Sequence, residues 1–196
     1  IRDRKDSRQA IKEYGGMVFG FDQFQYPFIS DNYSGMVNYD LNKIKIGYID
    51  IETSSENGFP DVRNATEEIL AISYKCGMDF KVYGCRDYKP SPEVQYIHCV
   101  DEKHLLSEFV NDWSMNYPDI ITGYNINGFD FDFMYKRSRE LNCSNQFLKL
   151  SRNCDEICIN RDWRTNKESI ETTKIILASG EYNLKYIKMT GRLILD

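Results

Sequence analysis

The chain has 196 residues, of which 41% are apolar and 14% aromatic, and its net charge is −5. This apolar content suffices for the core of one sizeable domain, or of one domain with part of another. No apolar run approaches the ~20 residues that span a bilayer, and no charged-then-apolar leader opens the chain, so we expect a globular, soluble protein without membrane contact.

The first forty or so residues differ in sequence pattern from those that follow. Residues 1–16 carry a short helical pattern that ends at two glycines, and an aromatic-rich stretch then runs from Phe19 to Tyr39. This part of the chain is typical of the end of a preceding unit. Because the chain has no initiator methionine, we expect it to begin inside a longer protein.

From Lys43 onwards the pattern predicts a regular series of strands and helices. In chain order, these are strands at Ile44–Glu52, Glu68–Lys75, Phe80–Arg86 and Val94–Val100, a helix from a cap at Asp101 to Tyr117, a strand at Asp119–Gly123, and a helix from Phe129 to about Leu141. Apart from the short strand at Val94–Val100, the order is three antiparallel strands followed by helix, strand and helix, which is the layout of a ribonuclease-H-like α/β fold. We therefore predict that architecture.

Two acidic segments predict a metal site in this fold. Asp50 and Glu52 end the first strand, and the period of two places both carboxylates on one face. Two like charges on one face are most often tolerated where divalent cations bridge them, and carboxylate oxygens suit Mg²⁺ or Mn²⁺. Asp130 opens the last predicted helix, where open α/β sheets place ligands. By itself Asp130 could also be an ordinary helix N-terminal charge.

The charge is unevenly distributed along the chain. Residues 40–135 hold eight bases and seventeen acids, whereas residues 136–196 hold twelve bases and eight acids and begin with Lys136 and Arg137. This charge distribution is expected if basic residues attract a polyanion to a site where carboxylates bind cations. A solvated helix face followed by a polar loop explains it equally well.

The six cysteines form no Cys-x-x-Cys pair and lie mostly in apolar segments. This spacing favours reduced core thiols over zinc ligands or disulfides. We therefore expect a reducing compartment, the cytoplasm.

The acidic motifs resemble those of a known family. Asp50-Ile-Glu52, followed by Asn125-x-x-x-Phe129-Asp130, is similar to the first two exonuclease motifs of family B DNA polymerases. The wider match is to the replicative polymerases of T-even-type bacteriophages, and it runs collinearly through Ser30–Tyr33, Lys43–Glu52, Tyr117–Asp130 and Gly191–Asp196.

This resemblance implies a domain division and a set of residue roles. Residues 1–42 would end the polymerase N-terminal domain, and residues 43–196 would form most of the 3′–5′ exonuclease domain. Two metal ions, Mg²⁺ or Mn²⁺, would hydrolyse the 3′-terminal phosphodiester. Asp50 would bridge the metals, Glu52 would hold the nucleophile-side metal or its water, and Asp130 would ligate the second. Asn125 would make polar contacts beside the site, and Phe129 would pack the helix or flank the terminal base.

One motif of the resembling family is not found in this sequence. The family's third motif, Tyr-x-x-x-Asp, supplies a fourth carboxylate, and the segment Tyr182–Tyr186 lacks the aspartate. We therefore expect an exonuclease domain that is incomplete at its C-terminus and nearly inactive by itself. His98 and His104 precede the second motif and are interpreted as surface or strand residues.

Residues 142–185 are the least readable part of the chain. Trp163 lies between Arg161 and Arg164. In the resembling polymerases this region carries a protruding β-hairpin that helps to part the primer end from its template, and a surface excursion with one aromatic is the alternative. With Lys136 and Arg137, these residues are candidates for nucleic-acid binding.

Three functions follow. The first is the proofreading portion of a family B DNA polymerase that acts on single-stranded and primer–template DNA. Its partners would be the remaining polymerase domains or a partner subunit, and a sliding clamp through the missing part. It would work in the cytoplasm of an infected bacterium if the gene is from a phage. The second is a stand-alone nuclease of the same superfamily, and the third is the non-catalytic nucleic-acid-binding half of a split polymerase.

Overall fold

The structure, a computed structural model, describes residues 9, 12–14, 25–35, 38, 40–56, 58–151, 159–161, 168–170, 172–177, 180–185, 189 and 191–196. Backbone contacts divide the chain into two units, Ile1–Leu41 and Asn42–Asp196. The first contains helix α1 (Gln25–Asn32). This division falls beside the predicted boundary at residue 42, although the domains that the two units represent remain a prediction.

The second unit is built on a mixed six-stranded sheet, so the predicted α/β class is confirmed at that level. The strands are β1 (Ile46–Thr53), β2 (Ile69–Cys76), β3 (Asp79–Gly84), β4 (Gln95–His98), β5 (Ile120–Thr122) and β10 (Leu193–Leu195). Their order across the sheet is β10-β5-β1-β2-β3-β4. The predicted antiparallel run of β1, β2 and β3 is present. Strands β5 and β10 lie parallel to β1 on its other side, so the carboxyl ends of β1, β5 and β10 meet at one edge.

Strand β1 shows why the sequence folds in this way. Gly47, Ile49 and Ile51 are buried, whereas Ile46, Tyr48, Asp50 and Glu52 are exposed. Apolar groups thus face the core on one side of the strand. The other side carries both carboxylates, as the period of two predicts.

Helices α2 (Glu102–Met115), α3 (Asp130–Glu140) and α4 (Ser144–Phe147) complete the unit. The predicted cap is present, because the Asp101 side chain accepts a hydrogen bond of 2.7 Å from the backbone N–H of His104. Trp113 of α2 is fully buried and contacts Tyr74, Phe109 and Phe131. These rings join the sheet, α2 and α3 in one core.

Four shorter strands lie between α4 and β10. Strands β6 (Ile159–Arg161) and β7 (Glu168–Ile170) pair in antiparallel fashion, and so do β8 (Thr172–Leu177) and β9 (Gly180–Lys185). The first pair flanks the segment that was predicted to form a hairpin. Trp163 and Arg164 lie outside the described residues, so their role stays a prediction.

Two further sequence predictions can be checked on the described residues. Cys76, Cys99 and Cys143 are buried free thiols, and Cys85 is a half-buried one. No helix in the described part of the chain is both long and apolar enough to cross a membrane.

Candidate functional site

The candidate site lies at the sheet edge where β1, β5 and β10 end. Asp50 and Glu52 lie in the C-terminal half of β1, on its exposed face. Tyr48 of β1 lies opposite Thr122 of β5, and Thr122 lies opposite Leu195 of β10. The residues that follow β5 and β10 therefore arrive beside the β1 carboxylates.

The loop from β5 to α3 brings the second motif to this edge. A Cβ at Gly123 would lie 2.5 Å from the carbonyl oxygen of Ile49, so only glycine lets β5 end this close to β1. Asn125 has φ 55°, a left-handed conformation that asparagine tolerates better than most residues. Its carbonyl accepts a hydrogen bond of 2.9 Å from the N–H of Phe129. The chain thus turns sharply into α3, with Asp130 as the first residue of the helix.

Asp130 reaches back to the first motif. Its side chain is only 2% exposed, and its Oδ1 accepts a hydrogen bond of 2.9 Å from the N–H of Ile51, between Asp50 and Glu52. Burial raises the pKa of Asp130 to about 7, the Ile51 N–H opposes this shift, and the nearby charges of Asp50 and Asp196 add to it. A buried carboxyl with such a pKa beside other carboxylates is typical of functional sites.

The three acidic residues line a single cleft of about 620 Å³, which we call the acidic cleft. Asn125 and Phe129, the other two residues of the second motif, also line it. The structure thus brings together five of the site residues that the sequence predicted.

Aromatic side chains form another part of the acidic cleft. Phe59 and Tyr124 are 89% and 90% exposed, and both line it. The Phe59 ring lies 6.2 Å from that of Phe129, which stacks at 5.5 Å on Phe133. Sequence reasoning missed Phe59, because a single phenylalanine in the loop after β1 carries no periodic signal.

Lys136 and Arg137, the basic residues predicted at the start of the basic segment, make contacts within the fold. Lys136 pairs with Asp132 at 2.8 Å and donates to the carbonyl of Val62. Arg137 holds Glu102 through two hydrogen bonds, of 2.8 and 2.7 Å, and donates to the carbonyl of Thr66. Both cations therefore tether the loop between β1 and β2, which carries Phe59, to α3. Their assignment to nucleic-acid binding stays a prediction, as does that of Arg161 in β6.

Asp196 is a second residue that sequence reasoning missed. It directly follows β10, and its carboxylate accepts hydrogen bonds from the backbone N–H groups of Ile126 and Asn127. The available signal was an aspartate at the end of a short apolar strand, the same pattern that drew attention to Asp50 in β1.

The donor set of the acidic cleft fits a hard divalent cation. It offers carboxylate oxygens, which hard cations prefer. A cation would also favour the charged form of Asp130, whose pKa is raised mainly by burial and further by the charges of Asp50 and Asp196. In the described part of the chain, however, no three Asp, Glu, His or Cys side chains are grouped closely enough to hold a metal ion. The carboxylates share the acidic cleft without forming a ready-made ligand cluster.

Comparison with known proteins identifies the family. The family model described as "DNA polymerase family B, exonuclease domain" matches residues 22–196. The chain therefore belongs to the exonuclease domains of family B DNA polymerases, and the resemblance stated from its motifs is confirmed.

Individual relatives agree with this assignment. A DNA polymerase of Phaeocystis pouchetii virus is 53% identical over 103 residues, which are 53% of this chain and 10% of the relative. The DNA-directed DNA polymerase of Escherichia phage RB69 is 27% identical over 170 residues (72% and 19%). That of Enterobacteria phage T4 is 26% identical over 165 residues (70% and 18%). The matched part of the chain thus spans a fifth or less of the length of these polymerases.

Proposed function

We propose that this chain is the proofreading 3′–5′ exonuclease portion of a DNA-directed DNA polymerase and hydrolyses the 3′-terminal phosphodiester of DNA. The observation that carries the proposal is the meeting of Asp50, Glu52 and Asp130 in the acidic cleft, in a chain of this family. The strand order, with β1 between antiparallel β2 and parallel β5, supports a ribonuclease-H-like fold.

Two divalent cations, Mg²⁺ or Mn²⁺, would be held by these three carboxylates and would supply charge neutralisation and an activated water. Asp50 and Glu52 are exposed on the acidic cleft, where such ions would reach them. Asp130 is held in place by the N–H of Ile51, so its position relative to β1 is set before ligands arrive. This combination of fixed and movable carboxylates suits a site that is assembled with its metals and substrate.

The remaining surfaces of the acidic cleft suit single-stranded DNA. The exposed rings of Phe59 and Tyr124, with Phe129 behind them, offer stacking surfaces that accept any base. Primer–template DNA, the other polymerase domains or a partner subunit, a sliding clamp and the cytoplasm of an infected cell follow from the family as further proposals.

Metal binding is the first expected result. Titration with Mn²⁺ should show weak binding to this chain and none to Asp50→Ala, because the cations need the β1 carboxylates. Asp87→Ala, which removes an exposed carboxylate from another part of the sheet unit, is the control and should bind like the parent. Unchanged Mn²⁺ affinity in Asp50→Ala would remove Asp50 from the site.

Activity is the second expected result, and it tests the proposed function. The full product of the gene should degrade 5′-labelled single-stranded DNA from its 3′ end in Mg²⁺. The double variant Asp50→Ala/Glu52→Ala should not, whereas its nucleotide incorporation should be unchanged, because polymerisation belongs to another domain. We expect the 196-residue chain alone to have negligible activity. If the double variant still removes mismatched primer ends at the parent rate, the proposal fails.

A further inference from the structure

The carboxylate of Asp196 makes the same kind of contact with both of its oxygens. Oδ1 accepts a hydrogen bond of 2.9 Å from the N–H of Ile126, and Oδ2 accepts one of 3.2 Å from the N–H of Asn127. These two N–H groups belong to the turn that leads into α3. Charge-assisted hydrogen bonds of this kind are stronger than neutral ones. Asp196 thus clamps two consecutive residues of the second motif to the end of β10.

A backbone hydrogen bond connects the clamped turn to the first turn of α3, which carries Asp130. The carbonyl of Ile126 accepts a hydrogen bond of 3.0 Å from the N–H of Phe131, in the first turn of α3. The Ile126 side chain is fully buried, and Asn127 is 8% exposed. A displacement at Ile126 would therefore be passed through one hydrogen bond to the residue next to Asp130.

Strand β10 supplies the anchor for this clamp. Leu193, Ile194 and Leu195 pair in register with Ile120, Ile121 and Thr122 of β5. Because β5 pairs in turn with β1, Asp196 is fixed relative to the strand that carries Asp50. The turn is thus held to the same sheet at its start, through β5, and at its middle, through Asp196.

We propose that Asp196 is a positioning residue that sets the placement of Asp130 in the acidic cleft by clamping the Ile126–Asn127 turn to β10. This inference rests on the proposed function and adds a residue from a third strand to it. Asp196 acts through the backbone of the turn, since each of its oxygens accepts an amide hydrogen. It differs in this respect from Asp50 and Glu52, which lie exposed on the acidic cleft.

The test compares three variants in the full product of the gene. Asp196→Asn keeps the size of the side chain but replaces one acceptor with an NH₂ group, which cannot pair with a backbone N–H. Asp196→Glu keeps the charge and moves the carboxylate by one methylene. Asp119→Asn is the matched control, because Asp119 accepts the N–H of Lys45 at 2.9 Å near the opposite end of β5. All assays are run well below the lowest melting temperature of the three variants.

We expect kcat for digestion of single-stranded DNA to fall about 10- to 100-fold in both Asp196 variants, the usual effect of removing a partner that orients a ligand. KM should change less than kcat, because Phe59, an exposed ring that lines the acidic cleft, lies on the loop between β1 and β2 and outside the clamped turn. In hydrogen–deuterium exchange measured by mass spectrometry, the peptide Tyr124–Phe131 should exchange faster in both Asp196 variants. Asp119→Asn should change neither quantity, even where it lowers the melting temperature.

Other outcomes would overturn the inference. A parent-like kcat in Asp196→Asn means that the clamp has no catalytic consequence, and a parent-like kcat in Asp196→Glu alone means that only the charge is needed. Loss of kcat without faster exchange makes Asp196 a direct ligand instead. The proposed function fails separately, if the parent enzyme degrades no DNA in Mg²⁺, and the exchange measurement still decides whether Asp196 holds the turn.

Discussion

Glu102→Ala should lower the free energy of unfolding by about 3–5 kcal/mol, the usual cost of breaking a buried ion pair from one side. Glu102 and Arg137 have side chains that are 7% and 16% exposed, with 2.7 Å between Oε2 and Nη2. Glu102 Oε1 also accepts the N–H of Ile69 at 2.9 Å, at the start of β2. The variant therefore leaves the half-buried guanidinium of Arg137 without its carboxylate partner and the buried N–H of Ile69 without an acceptor. Urea unfolding followed by Trp113 fluorescence, in a Trp163→Phe background, measures the change.

A control on the same helix separates burial from charge. Glu108 pairs with His104 at 3.5 Å, and both side chains are 39% exposed, so Glu108→Ala should cost less than about 1 kcal/mol. Replacing the whole pair, as Glu102→Leu with Arg137→Met, should be milder than Glu102→Ala, because no buried charge remains. Equal losses in Glu102→Ala and Glu108→Ala would show that the buried pair contributes no more than a surface pair.

The same pair shows where prediction from sequence stops. Helix α2 is predictable because its signals are local: an aspartate cap and apolar residues at helical spacing. The partner of Arg137 is not local, since Glu102 lies 35 residues earlier. A basic residue beside an acidic motif indicates a phosphate contact when only the sequence is read. The structure shows that long-range pairing ties Arg137 to α2 and to the loop at Thr66.

The acidic cleft was predictable to a similar extent. Asp50 and Glu52 follow from strand periodicity, and Asp130 follows from the start of a helix after a short buried strand. The contact of Asp130 with the N–H of Ile51 could not be read, because it depends on how closely β5 approaches β1 at Gly123. Asp196 was missed for the same reason: its importance appears only when β10 is placed beside β5.

The hydrogen bonds that hold the loop between β1 and β2 also join residues that are distant in the sequence. Lys136 and Arg137 donate to the carbonyls of Val62 and Thr66, and these bonds hold a loop that carries the exposed ring of Phe59. Two cations of α3 thus act on the acidic cleft through the backbone of a neighbouring loop. Their positive charges are paired within the fold, and charge counting along the chain does not reveal such pairing.

Asp130→Asn should stabilise the apo protein above pH 7 by a few kcal/mol while removing its stabilisation by Mn²⁺. The folded-state pKa of Asp130 is raised from 3.8 to about 7, mainly by burial. The folded protein therefore binds more protons than the unfolded chain between about pH 4 and pH 7, so stability is lost as the pH rises through this window. Asparagine is neutral throughout and still offers Oδ1 to the N–H of Ile51, so this loss should disappear.

The measurement is the urea midpoint in EDTA at pH 5 and pH 8. The gap between Asp130→Asn and the parent should widen from pH 5 to pH 8, whereas the exposed control Asp87→Asn should follow the parent at both. Adding Mn²⁺ should stabilise the parent, because ligands that bind only the folded state do so by mass action. It should leave the stability of Asp130→Asn unchanged.

Two outcomes would contradict this expectation. If the difference in urea midpoint between the two proteins does not change with pH, ionisation of Asp130 does not destabilise the folded state. A widening gap with no response to Mn²⁺ in the parent would separate the buried charge from metal binding. If both effects are found, the same carboxylate weakens the apo fold and provides the charge that a cation needs.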